Sequence, residues 1–243
     1  MEFWNHICPG CMREIKESTE SGQNGRNEIN SARHGHGPEG FRCPYCGFSE
    51  AEYRENSRCL PLNTILAGKY LVGKVLGEGG FGITYIGYDL NMKARVAIKE
   101  YFPVELAARD TTRRNTESGG PISGDRSNRV ISMSGEKSET YRRGLKKYVN
   151  EARNVSQFSG IPGIVSVKDF FYENDTAYIV MEYIEGVSLK EYLKQKGGKL
   201  SEEEALTIMC PVLEALIQVH AAGIVHRDIS PDNIMLTFMK EAK

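Results

Sequence analysis

The run Tyr70-Leu-Val-Gly-Lys-Val-Leu-Gly-Glu-Gly-Gly-Phe-Gly-Ile-Thr-Tyr-Ile-Gly-Tyr88 decides the fold. Gly77, Gly79 and Gly82 form a Gly-x-Gly-x-x-Gly set between two runs rich in β-branched and aromatic residues, Tyr70–Leu76 and Ile83–Tyr88. Glycine lets a backbone approach phosphate closely and accept positive φ. In a dinucleotide fold the last glycine opens a helix. Here strand composition resumes at Ile83, so the glycines join two strands. An ordinary glycine-rich hairpin has the same local sequence, and only motifs further along the chain can separate the two.

Downstream, Asp89-Leu-Asn-Met92 connects to a third strand, Ala94-Arg-Val-Ala-Ile-Lys99. Lys99 at the end of that strand can set an ammonium over phosphates held by the glycines; taken alone it reads better as a solvated strand-end lysine. Residues 101–140 are irregular, with apolar islands at 101–104 and 130–131. A loop of that length is functional or mobile. A helical period over 141–158 places Leu145, Tyr148, Val149, Ala152, Val155 and Phe158 on one face and carries Glu151. Glu151 is either a partner for Lys99 or a surface glutamate. Two further strands, Val165–Tyr172 and Thr176–Met181, flank an Asn174-Asp175 turn. Ser188–Lys196 is a short helix. Ser201 and Glu204 form a capping box that opens a helix over 202–222, interrupted by Pro211 and ended by Gly223. Directly after it stands His226-Arg-Asp-Ile-Ser-Pro-Asp-Asn233. There Asp228 can accept a proton from a hydroxyl, and Asn233 can ligate a divalent metal.

The four motifs in this order, each on the required element, resemble the eukaryotic-type protein kinase family over about residues 68–237. The resemblance implies an α+β fold. A five-stranded antiparallel lobe with one helix leads through a hinge at 181–186 into a partial helical lobe. It implies that Gly77, Gly79 and Gly82 cover the ATP phosphates, that Lys99 contacts the α/β-phosphates, and that Glu151 holds Lys99. Asp228 is then the catalytic base and Asn233 a magnesium ligand. The resemblance makes Met181 the gatekeeper and gives adenine bonds to the backbone of Glu182 and Ile184. Leu76, Thr84, Ala97 and Met235 sandwich the ring. Thr84 replaces the usual valine, and Ser230 replaces the lysine common in serine/threonine-specific members. Serine/threonine specificity is still preferred, because the tyrosine-specific Ala-Ala-Arg pattern is absent. No Asp-Phe-Gly occurs in the 243 residues. The sequence therefore reads as a kinase domain cut after its catalytic loop, slow in phosphoryl transfer, with an exposed apolar face on the helix 202–222.

Ahead of this region, residues 1–58 are polar and carry Cys8-Pro-Gly-Cys11 and Cys43-Pro-Tyr-Cys46. Paired Cys-x-x-Cys turns in a chain without an export signal read as a tetrahedral zinc site, similar to zinc-ribbon knuckles. His6, His34 and His36 are alternative ligands but read better as solvated. The polar stretch 16–40 reads as a flexible loop between knuckles. The expected organisation is a four-cysteine segment at 1–58 and a kinase domain at 59–243, in a style that looks bacterial. The ribbon is expected to bind a partner protein or regulate. Cys59 and Cys210 read as ordinary thiols.

Lys+Arg number 31 and Asp+Glu 32, which argues against nucleic acid or an anionic membrane as partner. No apolar run reaches a bilayer-spanning length, and a cytoplasmic location is expected. The leading expectation is an ATP- and Mg2+-dependent serine/threonine kinase acting on protein hydroxyls. The alternatives are a catalytically impaired nucleotide-binding or scaffold module and, weakest, a nucleic-acid-binding ribbon.

Overall fold

A computed structural model describes residues 6–15, 42–54, 56–110 and 128–237. The expected flexible loop at 16–40, with His34 and His36, lies outside the described residues. The elements in chain order are β1 (Ile65–Leu66), β2 (Tyr70–Gly79), β3 (Gly82–Asp89), β4 (Ala94–Tyr101), β5 (Ala107–Arg109) and β6 (Val130–Ser132), then α1 (Glu136–Ser156). They continue with β7 (Val167–Glu173), β8 (Thr176–Glu182), β9 (Gly186–Ser188), α2 (Leu189–Gln195), α3 (Glu202–Ala221) and β10 (Met235–Thr237).

The main sheet has the order β1-β2-β3-β4-β8-β7. The five expected strands are present, and two-residue β1 extends the edge at Tyr70 and Leu71. Strand β2 runs through Gly79, so the glycines are the tip of a hairpin with Gly77 opposite Thr84 and Gly79 opposite Gly82. At the β3–β4 turn the Asp89 carboxylate accepts from the backbone N–H of Asn91 and Met92 at 2.9 and 3.0 Å. Asn174 and Asp175 both take positive φ, 54° and 57°, the type I′ geometry that matches strand twist in a two-residue hairpin.

Two short sheets have no signature in the sequence: β5 with β6 inside the stretch read as irregular, and β9 with β10 after the hinge. Helix α1 begins at Glu136, not 141, because its first turn is polar and carries no apolar period; Glu136 and Glu139 there complement the helix dipole. Of the face expected on it, Tyr148, Val149 and Ala152 are buried, as is Phe158 in the turn beyond the helix end, whereas Leu145 is half-buried and Val155 is exposed. Ser188 caps α2, and the Ser201–Glu204 capping box on α3 is reciprocal.

The residues group into two compact units, Met1–Val149 with Asp169–Val180, and Asn150–Lys168 with Met181–Lys243. The core of the first is Leu71, Val72, Tyr85, Ile98, Phe102 and Tyr178, all fully buried. Buried among them is Glu100. It accepts from the Tyr85 hydroxyl at 2.8 Å, the Tyr178 hydroxyl at 2.9 Å and the Arg109 guanidinium at 2.6 Å. Burial, then the nearby carboxylate, pushes the Tyr85 hydroxyl far above its usual range. In the second unit α3 leaves Leu206, Leu213 and Ile217 exposed and seats Ala215 beside Gly163. Among the described helices α3 is long and apolar enough to cross a bilayer by length and composition alone. Its three-glutamate first turn and reciprocal cap are ordinary for a domain helix.

Candidate active site and four-cysteine centre

In the first unit, strand pairing brings together residues expected from the sequence to serve the nucleotide. Gly77 pairs with Thr84, and Thr84 with Lys99, so the three stand side by side across β2, β3 and β4. Ala97 shares that face with Lys99 by the two-residue strand period. The opposite face of β4 carries Val96, Ile98 and Glu100, all buried. Alternation therefore sends Glu100 into the core and leaves Lys99 half-exposed. The Tyr148 hydroxyl donates to the Lys99 carbonyl at 2.9 Å and ties α1 to the strand at that residue. Glu151 lies under one turn further along α1. A Cβ at Gly77 or Gly80 would meet nothing within 4 Å, so the hairpin tip is open on both sides. One at Gly82 would strike the Glu100 carbonyl, so glycine there permits close strand approach.

In the second unit, the expected hinge residues Met181 and Glu182 end β8. The Glu182 carboxylate and N–H both engage the Ser166 backbone, at 2.7 and 3.0 Å. Its own carbonyl and the Ile184 N–H are the groups assigned to adenine. Strand β10 places Met235 opposite Ser188, just past the hinge. The catalytic-loop motif closes on itself. Asn233 Nδ2 donates to the Asp228 carboxylate at 2.9 Å and to the Asp228 carbonyl at 3.0 Å. That leaves Asn233 Oδ1 as the acceptor for a cation and holds the Asp228 carboxylate in one orientation. Arg227 takes φ of 65°, a left-handed conformation rare for a long side chain. A cavity of about 640 Å3, lined by Ile131, Tyr141, Leu145 and Tyr172, contains none of the expected site residues.

The four cysteine Sγ atoms lie within 4.8 Å of one another. Cys8 and Cys46 are 3.8 Å apart, as are Cys11 and Cys43. Sulfurs ~2.3 Å from a common centre at tetrahedral angles stand ~3.8 Å apart, so the geometry is that of an S4 metal shell. Burial pushes the Cys11 thiol up to about 11 and the Cys8 thiol higher still. A cation beside Cys8 and Cys11 would make their thiolates favourable, whereas at Cys43 burial pushes up but hydrogen bonds from the Tyr45 and Cys46 backbone already hold the thiol below its usual value. Each knuckle is closed by the same bond, Met12 N–H to the Cys8 carbonyl and Gly47 N–H to the Cys43 carbonyl, both 2.8 Å. Both closing residues have positive φ, 53° and 70°. Glycine is natural there, and Met12 has a reason to be the exception. Its side chain is buried and its terminal methyl fills the space over Gly73 of β2. Pro9 accepts from the Lys74 N–H at 2.9 Å, and the Tyr53 hydroxyl from the Val75 N–H at 3.2 Å. The ladder is irregular between Val72 and Val75, where β1 has ended, and the knuckles cover that stretch of strand edge.

A glycine-tipped hairpin, a strand lysine and a closed Asp–Asn loop are the parts of a protein kinase domain, and the chain belongs to that family. Residues 127–243 match the family model described as protein kinase domain. The relatives are bacterial serine/threonine kinases. The chain is 30% identical over 178 residues to serine/threonine-protein kinase PrkC of Bacillus subtilis, covering 73% of this chain and 22% of the relative. It is 32% identical over 238 residues to serine/threonine-protein kinase PknG of Mycobacterium leprae, covering 95% and 25%. The chain thus spans about a quarter or less of the length of these relatives. Among solved structures, the apo form of PpkA-294 matches with a TM-score of 0.64 and 31% identity, over 74% of this chain and 58% of that one. The kinase domain of PknI from Mycobacterium tuberculosis shares the fold, with a TM-score of 0.52 and 22% identity, over 74% and 58%. The relatives' names do not favour the binding-only alternative.

Proposed function

We propose that this chain carries the nucleotide site and catalytic loop of an ATP-dependent serine/threonine protein kinase. The observation that carries the reading is the alignment of Gly77, Thr84 and Lys99 on one sheet face, together with the Asn233–Asp228 closure. Gly77, Gly79 and Gly82 give their backbone to the phosphates, and Lys99 neutralises the α/β oxygens as a point charge. In the first unit Leu76, Thr84 and Ala97 are assigned to the adenine ring; in the second, Met181, Met235, the Glu182 carbonyl and the Ile184 amide are. Glu151 is assigned to Lys99. A substrate hydroxyl oxygen attacks the γ-phosphorus; its O–P bond forms as the bond to the β,γ-bridging oxygen breaks, and ADP leaves. Asp228 takes the hydroxyl proton. Magnesium, when bound, neutralises the phosphate charge, and Asn233 Oδ1 is the ligand this loop offers. The four cysteines Cys8, Cys11, Cys43 and Cys46 hold zinc; four thiolates leave no open position, so the ion is structural.

The test pairs two variants of the full chain. Lys99→Met is expected to lose both ATP binding and transfer of labelled phosphoryl to protein. Asp228→Ala is expected to keep ATP binding and lose transfer by about 10²-fold or more. Transfer undiminished in Asp228→Ala would overturn the assignment.

A further inference from the structure

The segment that leaves the four-cysteine centre continues along the edge of β2 to the tip of the glycine hairpin. There it converges on one carboxylate. Asn56 Nδ2 donates to Glu78 at 3.2 Å, Arg58 pairs with it at 3.3 Å, and the Cys59 thiol donates at 3.7 Å. Glu78 is the residue between Gly77 and Gly79. It pairs with Ile83, which pairs with Glu100, so it stands on the sheet face opposite Thr84 and Lys99. The segment itself is anchored in the core. The Leu60 N–H donates to the Tyr85 hydroxyl at 3.1 Å, and Arg109 Nε donates to the Arg58 carbonyl at 2.7 Å. At its other end, Pro9 and Tyr53 grip Lys74 and Val75. The hairpin glycines, by contrast, offer no side chain to pack.

We propose that Asn56 and Arg58 brace the phosphate hairpin through Glu78, making Glu78 a positioning residue for nucleotide, with the four-cysteine segment as its fixed support. This rests on the kinase reading above. The brace acts from behind the sheet and touches no nucleotide. It narrows the range of hairpin conformations and so reduces the ordering cost of binding. The pair is partly exposed, 51% at Arg58 and 36% at Glu78, so its effect is small and measurable.

The test uses the zinc-loaded full chain, the fluorescent probe N-methylanthraniloyl-ATP, and the variants Glu78→Gln, Arg58→Ala, their double, and Lys99→Met. Each single variant is expected to weaken binding about threefold, the double no more than either single, with an unchanged melting temperature. Backbone amides of residues 78–82 are expected to exchange about threefold faster in Glu78→Gln. Arg58→Lys, which keeps the charge, is expected to recover most of the affinity. Wild-type affinity and exchange in Glu78→Gln and Arg58→Ala, or fully additive losses in the double, would overturn the brace while loss of binding in Lys99→Met left the nucleotide site standing. Unaltered binding in Lys99→Met would instead overturn the kinase reading and the brace with it.

Discussion

Replacing Arg109 by methionine is the perturbation whose outcome the structure fixes most tightly. The Arg109 side chain is 4% exposed and its partner Glu100 0%, at 2.6 Å. Arg109 also donates to the carbonyls of Arg58 and Asn128, both at 2.7 Å. Burial alone would lower its pKa; the Glu100 carboxylate outweighs that and holds it raised. Removing one member of a buried pair leaves the other charge uncompensated, at a cost of about 3–5 kcal/mol. The two tyrosine hydroxyls remain on Glu100, which places the expectation at the lower end of that range. Each kcal/mol lowers Tm by roughly 2–4 °C for a domain of this size, so a fall of about 6–12 °C is expected. The assay is thermal unfolding of the zinc-saturated full chain. The control is Arg129→Met, whose pair with Asp175 has the same 2.6 Å length but side chains 57% and 54% exposed. Its expected shift is about 2 °C or less. Equal shifts in the two variants would refute the reasoning, because distance alone, without burial, would then set the effect.

Three further perturbations have definite expected outcomes. Gly73→Val puts a branched side chain where Met12 and the Pro9 carbonyl now sit, so the knuckles must lift from β2; amides of Lys74 and Val75 should lose exchange protection, and retained protection would contradict the docking. The four-cysteine centre should release one zinc per chain to a thiol-modifying reagent, and Cys43→Ser should bind that ion at least tenfold more weakly; a stoichiometry near zero after zinc-supplemented refolding would refute the site. Glu204 is held down to about 2, first by the bond from Lys196 and then by the Ser201 N–H, against a reference of 4.5. A depressed carboxylate stabilises above its unfolded pKa, so the stability gap between wild type and Glu204→Gln should be constant above about pH 5 and close as pH falls from 4.5 toward 2; a gap that widens on acidification would contradict it.

The parts of the fold legible in sequence are those whose cause is local. The strand–glycine–strand run, the Asn174-Asp175 turn, the Ser201 capping box and the Asp228–Asn233 loop each state their geometry within a few residues. The two Cys-x-x-Cys turns likewise announce a four-thiol cluster whatever separates them. What tertiary structure decided lies where the partner is distant in sequence. Strands of two or three residues, such as β1, β5 and β9, carry no period of their own and exist because another strand sits beside them. Glu100 and Lys99 are neighbours in sequence, and only the pairing of β3 with β4 shows which of the two enters the core. Arg109 reads as one more loop arginine until Glu100 is buried beside it. Met12 and Gly73 are ordinary residues singly; folding sets one against the other, and that contact fastens the cysteine centre to the strand that leads into the glycine hairpin. Local chemistry is written in adjacent residues, whereas burial and cross-chain pairing depend on which distant surfaces the folded chain brings out of water together.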